Sequence, residues 1–150
     1  MPEVERETGG RVSVSGLVNM KKTLDVGCGI GAYARAMREL GSRGKFVGVD
    51  PTKYSTGDDA YGEYEDLIFK DIQSIEALER LGKHHFDCVI SVGLPPQALD
   101  FVARNKAKFN LTQGGLMVLV TDSNIRDNQY KEFDVDHGIM VVDESILVSK

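Results

Sequence analysis

Thr23-Leu24-Asp25-Val26-Gly27-Cys28-Gly29-Ile30-Gly31 is the stretch whose reading decides the fold. From Lys22 to Val26 the residues suit a short β-strand, and glycines at 27, 29 and 31 then break the pattern. Beyond them Tyr33, Ala36, Met37 and Leu40 recur at helical spacing, and Gly41 supplies a helix stop. A second strand reads Lys45 to Val49 and ends at Asp50 and Pro51, because proline cannot continue the hydrogen bonding of a central strand. Strand, glycine loop, helix and strand make one βαβ unit.

Working outward, Thr52 to Glu65 is polar and rich in tyrosine, and reads as a loop with at most one irregular helix, a candidate lid. A third strand runs from Leu67 to Phe69 and ends at Asp71. Ser74 can then cap a helix through Leu81, with Ile75, Leu78 and Leu81 on one face. Phe86 to Val92 is almost continuously apolar, as a strand buried on both faces should be. Pro95 and Pro96 open a fourth helix that turns Leu99, Phe101, Val102 and Phe109 toward the sheet. Gly114 and Gly115 end it before a fifth strand, Leu116 to Thr121. Strict alternation of strand and helix predicts an α/β fold with a doubly wound, mostly parallel sheet. The C-terminal part has two readings. Either a weak helix, Asn124 to Phe133, precedes a hairpin of Ile139–Val142 with Ser145–Val148, or Asp136-His137-Gly138 turns a longer hairpin from Gln129 onward. Both finish on antiparallel strands.

The chain of 150 residues is the size of one domain, expected over 15–150, and residues 1–14 look like a loose arm without apolar period. No apolar run approaches the roughly 20 residues that span a bilayer, and the N-terminus lacks a signal-peptide pattern, so a cytoplasmic protein is expected. Cys28 and Cys88 form no CxxC pair and read as reduced, structural thiols, and no metal-ligand set is found. His84 and His85 precede the fourth strand, at the end away from the glycine loop, and read as solvated loop histidines, as does His137. A net charge of -5 repels polyanions, which favours a small-molecule or partner-presented substrate over nucleic acid. Arg104, Lys106 and Lys108 on the fourth helix are spaced by two and so form no single clamp.

The glycine loop stands where a strand meets a helix, which is where doubly wound folds hold ligands. Asp50 follows Gly31 by 19 positions at the end of the second strand, where a carboxylate can accept from both hydroxyls of a ribose. Two cofactors fit these residues. Gly27, Gly29 and Ala32 satisfy the GxGxxA form of the dinucleotide fingerprint. Asp25 points the other way, because a carboxylate directly before the loop opposes a pyrophosphate and suits the ammonium and sulfonium of S-adenosylmethionine.

TLDVGCGIG, VGVDP, KDI, FDCVISV and GGLMVLV, in that order from Lys22 to Thr121, resemble the motif series of class I S-adenosylmethionine-dependent methyltransferases. The resemblance implies a Rossmann-like fold, S-adenosyl-L-methionine as methyl donor and S-adenosyl-L-homocysteine as product. It implies further that Asp25 holds the methionine amino group and that Gly27, Cys28, Gly29 and Gly31 shape the floor beneath the cofactor. Asp50, with Pro51 beside it, matches the ribose-binding acid. Asp71 and Ile72 match the carboxylate and backbone amide that meet the adenine, and Ser91 with Val92 borders the reacting methyl group.

The sequence departs from the family after the fourth strand. Leu94-Pro95-Pro96-Gln97 stands where methyltransferases acting on base amines or glutamine amides carry Asp/Asn/Ser-Pro-Pro-aromatic, so the amide acceptor and the stacking aromatic are absent. No spacing selects a catalytic base among Asp122 and tyrosines 33, 54, 61 and 64, and the methyl acceptor stays open. Two other functions remain in view, a non-catalytic methyltransferase-like binding or scaffold subunit and a NAD-dependent oxidoreductase.

Overall fold

The computed structural model describes residues 14–53, 61–121 and 139–143. Their elements are α1 (Val14–Val18), β1 (Lys22–Val26), α2 (Ala32–Glu39), β2 (Lys45–Val49), β3 (Tyr64–Ile68), α3 (Ile75–Leu81), β4 (Phe86–Val92), α4 (Pro96–Arg104), a 3-10 turn (Lys106–Phe109), β5 (Leu111–Thr121) and β6 (Ile139–Asp143). The six strands form one sheet in the order β3-β2-β1-β4-β5-β6, and every neighbouring pair is parallel. The chain travels outward from β1 to β3 and returns to β4 on the other side of β1. A crevice is therefore forced open where the direction reverses, beyond the carboxyl ends of β1 and β4.

Alternation along each strand divides the core into two layers. Leu24, Val26, Val47, Val49 and Val89 face α3 and α4, packing on Ala77, Leu81, Leu99, Val102 and Phe109. Phe46, Cys88, Ile90 and Val118 face α1 and α2, packing on Leu17, Ala34 and Met37. The amino end of the sheet is tied by polar contacts. Asp87 accepts from the backbone N–H groups of Lys21 at 2.8 Å and Lys22 at 2.9 Å, which fixes the start of β1 against β4. Lys22 pairs with Glu65 at 2.7 Å across the sheet.

β4 falls on the residues expected of it, and Ser74 caps α3 by accepting from the Ala77 N–H at 3.1 Å. Several expectations are corrected. The buried stripe of α2 is Ala34 and Met37, whereas Ala36 and Leu40 face outward. Ile75 is 72% exposed, so α3 packs through Ala77 and Leu81. The third strand begins three residues early, at Tyr64. The fourth helix ends at Arg104, and Lys106 and Lys108 lie in the 3-10 turn that follows, where Asn110 takes a left-handed φ of 52° and starts β5. His84 is not a solvated loop residue. Its Nε2 lies 3.0 Å from Asp66, which also pairs with Arg80. Burial opposes ionisation of Asp66, but His84 and Arg80 outweigh it and hold the carboxyl below its usual range.

β6 overlaps the first arm of one expected hairpin, yet it adds to β5 in parallel. The other arms, at Ser145–Val148 and from Gln129, lie outside the described residues, as do residues 1–13 of the expected arm, His137, Tyr54 and Asp122. Among the described residues no helix is long and apolar enough to cross a membrane.

The reassigned face of α3 gives a direct stability contrast. Leu81 is fully buried, so Leu81→Ala should cost about 2–5 kcal/mol in urea unfolding. Ile75→Ala, on the exposed side, should change stability by less than about 0.5 kcal/mol. Equal losses at the two positions would show that α3 packs as its sequence period suggests.

Candidate functional site

The crevice at the switch point holds a cleft of about 490 Å³. Its floor is Val26, Gly27 and Gly29 from the end of β1 and Val49, Asp50, Pro51 and Thr52 from the end of β2. Asp71, Ile72 and Gln73 close one wall, and Gly93, Leu94, Pro95, Gln97 and Ala98 close the other. A volume in this range is typical of small-molecule sites. No lysine or arginine is among these lining residues.

The glycine loop is held both to β2 and to α2, where Arg35 donates from its backbone N–H to the Gly31 carbonyl at 3.1 Å and from its side chain to the Ile30 carbonyl at 2.9 Å. The carbonyl of Val49 accepts from Gly27 N–H at 2.7 Å and from Cys28 N–H at 3.1 Å. Asp50 continues the clasp, one oxygen accepting from Gly29 N–H and the other from Thr52 N–H, both at 2.9 Å. Each carboxylate oxygen has a second lone pair for a ligand hydroxyl. Tyr61 donates to the Gly29 carbonyl at 3.1 Å from the other side. Gly27 has φ +76°, so the strand-to-helix turn requires glycine, and Leu94 Cδ2 lies 2.4 Å from where a Cβ would stand.

Six of the ten expected site residues line the cleft, namely Gly27, Gly29, Asp50, Pro51, Asp71 and Ile72. Asp71 is exposed, and it accepts from the Gln73 N–H at 2.8 Å in the turn ahead of α3. Asp25, Cys28, Gly31 and Ser91 are buried behind the lining. Ser91 is fully buried beside Val26 and Leu119, and its Oγ has no hydrogen-bond partner. Cys28 is buried near Asp25 and Asp50, which pushes its thiol up to about 12 and leaves it unreactive.

Asp25 turns to the face opposite Val26, toward α2, and is 2% exposed. Its Oδ2 accepts from the Tyr64 hydroxyl at 2.7 Å. Burial drives its carboxyl up to about 7; the Tyr64 hydrogen bond opposes this, and the nearby Asp50 charge adds to it. Tyr64 stands on β3, which does not touch β1, and reaches Asp25 across Gly48 of β2. The sequence carried a sign of this contact, since a glycine inside a strand marks a close approach. Thr52, Gln73 and Gly93 also line the cleft and had no sequence signal of their own, whereas Gln97 belongs to the segment already singled out after the fourth strand.

Among the described residues no group of three His, Cys, Asp or Glu side chains is placed to hold a metal ion. Residues 24–110 match the family model described as "Methyltransferase domain". Among solved structures, ADP-L-glycero-D-manno-heptose-6-epimerase of Helicobacter pylori is similar at 18% identity with a TM-score of 0.48, covering 74% of this chain. The chain spans 42% of that structure's length. No curated protein matches.

The Asp25 environment sets the sign of a pH effect. A buried acid with a raised pKa contributes stability through its neutral form, complete below about pH 4 and lost as pH rises toward 7. Asp25→Asn removes the titration and keeps an acceptor for Tyr64. At pH 8 it should be more stable than the wild type by on the order of 3 kcal/mol, with the gap closing toward pH 4. Denaturant midpoints at the two pH values test this, and a variant less stable at pH 8 would contradict it.

Proposed function

The chain belongs to the methyltransferase-domain family, and from that premise we propose that the cleft binds S-adenosyl-L-methionine and that the protein transfers its methyl group, with S-adenosyl-L-homocysteine as product. The observation that carries this reading is the composition of the cleft. It offers carboxylates at Asp50 and Asp71, glycine backbone at 27 and 29 with open space above Gly29, and no basic side chain among its lining residues. Such a surface accepts ribose hydroxyls and tolerates a cation, while the Gly27, Cys28 and Gly29 N–H groups that would meet a pyrophosphate are already donated to the Val49 carbonyl and Asp50. A nicotinamide dinucleotide is therefore the poorer fit.

Bound there, the cofactor would supply a methyl group already activated on a sulfonium, so the chain's task is to position the acceptor and exclude water. Asp50 would take the ribose through the lone pairs that Gly29 and Thr52 leave free. Asp71 and the Ile72 backbone would border the adenine. Gly27 and Gly29 would lie beneath the cofactor, and Ser91, Cys28 and Gly31 would support that floor from behind. The acceptor end would be walled by Leu94, Pro95 and Gln97, which line the cleft. We propose a small-molecule or partner-presented acceptor, in keeping with the net charge of -5.

A binding subunit without transfer activity is the second reading. It is favoured by Leu94, whose apolar side chain packs on Gly27 at the place where amine and amide methyltransferases present a polar acceptor.

Calorimetry with S-adenosylmethionine, S-adenosylhomocysteine and NAD in parallel tests the ligand. Both adenosyl compounds should bind more tightly than NAD, and the reverse order would overturn the assignment. Asp50→Ala should weaken the adenosyl ligands by about 1.5 to 3 kcal/mol, the scale of hydrogen bonds to a charged group, in a protein that still folds.

A further inference from the structure

The contact between Asp25 and Tyr64 spans three strands. In register, Asp25 lies beside Gly48 and Gly48 lies beside Leu67, so a side chain from β3 reaches Asp25 by crossing over residue 48. A Cβ at Gly48 would stand 3.0 Å from Tyr64 Cε1 and 2.9 Å from Cys28 Sγ. The absent side chain is the passage through which the phenol crosses. The ring is steadied edge-on by Phe46, with centroids 6.3 Å apart.

The groups facing Asp25 come from every element around it. Cys28 lies in the glycine loop, Tyr33 on α2, Cys88 on β4 and Asp50 at the end of β2, and Arg35 of α2 acts on Tyr64. Burial pushes the Cys28 and Cys88 thiols and the Tyr33 and Tyr64 hydroxyls upward, so these four stay neutral near pH 7. Asp25 changes charge in that range, directly beneath the loop that Asp50 clasps.

We propose that Asp25, held by Tyr64 through the Gly48 gap, is a proton-dependent charge under the glycine loop that sets the preference between cationic methyl donor and its uncharged-sulfur product. Tyr64 is a positioning residue for this selectivity. The inference rests on the cofactor reading above. It needs no contact between Asp25 and ligand, because a buried charge acts through the weakly polarisable floor of the cleft. A carboxylate there favours a sulfonium over a thioether, and a neutral acid favours neither.

Two measurements decide it. Carbon-13 NMR of the Asp25 carboxyl in ligand-free protein should give a midpoint near neutrality, and Tyr64→Phe should raise it by about one to two units because a donor to the charged form is gone. Calorimetry should then show the affinity ratio of S-adenosylmethionine to S-adenosylhomocysteine rising by about threefold to tenfold from pH 5.5 to pH 8 in the wild type. Asp25→Asn supplies the baseline for the ligands' own titrations and should lack this added rise, and in Tyr64→Phe the rise should move to higher pH. Should Tyr64→Phe fail to fold, the wild-type carboxyl midpoint and the wild-type affinity ratio measured against Asp25→Asn decide the proposal. An Asp25 midpoint unmoved in the variant, or a wild-type ratio that follows Asp25→Asn, would overturn the proposal. If neither adenosyl ligand bound the wild type at any pH, the cofactor reading itself would be lost. Binding of both with the baseline ratio would remove only the present inference.

Discussion

The Val49 carbonyl and the Asp50 carboxylate together fix the glycine loop. Between them they accept from three consecutive loop N–H groups, those of Gly27, Cys28 and Gly29. A strand-to-helix turn with three glycines would otherwise have wide conformational freedom. Because β2 is itself paired with β1 through five registered residues and with β3 on its other side, the loop is anchored to an interior strand of the sheet. The cleft inherits its shape from that anchorage, with Leu94 laid against Gly27 from one side and Tyr61 bonded to Gly29 from the other.

The pleat of β1 then assigns opposite duties to adjacent residues. Val26 presents an apolar surface to the cleft, while Asp25 enters the layer beneath α2. A carboxyl placed among Phe46, Cys88 and Ile90 has lost most of its water, and one phenol hydrogen bond does not replace it. Such a group lowers the stability of the fold at neutral and higher pH, which is the usual condition of residues kept for binding rather than packing.

The parallel sheet was legible because its evidence is local and repeated. β1, β2 and β4 each carry a short apolar run closed by a turn signal, and Gly31, Ser74 and Gly82 mark boundaries of α2 and α3. The cleft was legible at Gly27, Gly29, Asp50 and Asp71, which fall at strand ends that the topology brings together. What periodicity hid depends on tertiary placement. Ile75 fits the helical stripe but lies in the first turn of α3, beyond the edge of the core, so it is exposed. His84 looked solvated because its partners, Asp66 and Glu65, belong to a strand eighteen or more positions away. Asp25 has the residue type expected of a ligand contact, yet its face is set by the pleat and by a tyrosine thirty-nine positions downstream.

Gly48 and Tyr64 constrain each other's size. A methyl group at position 48 would occupy the path of the ring, and loss of the ring would leave an opening above β2 that a larger residue at 48 could fill. Each substitution alone disturbs the layer beneath α2, while the two together restore its volume and sacrifice only the phenol bond to Asp25. Relatives of this chain should therefore separate into two groups, one with glycine facing tyrosine and one with a larger aliphatic residue facing a small side chain. Membership would reveal which of them retain a titratable acid beneath the glycine loop.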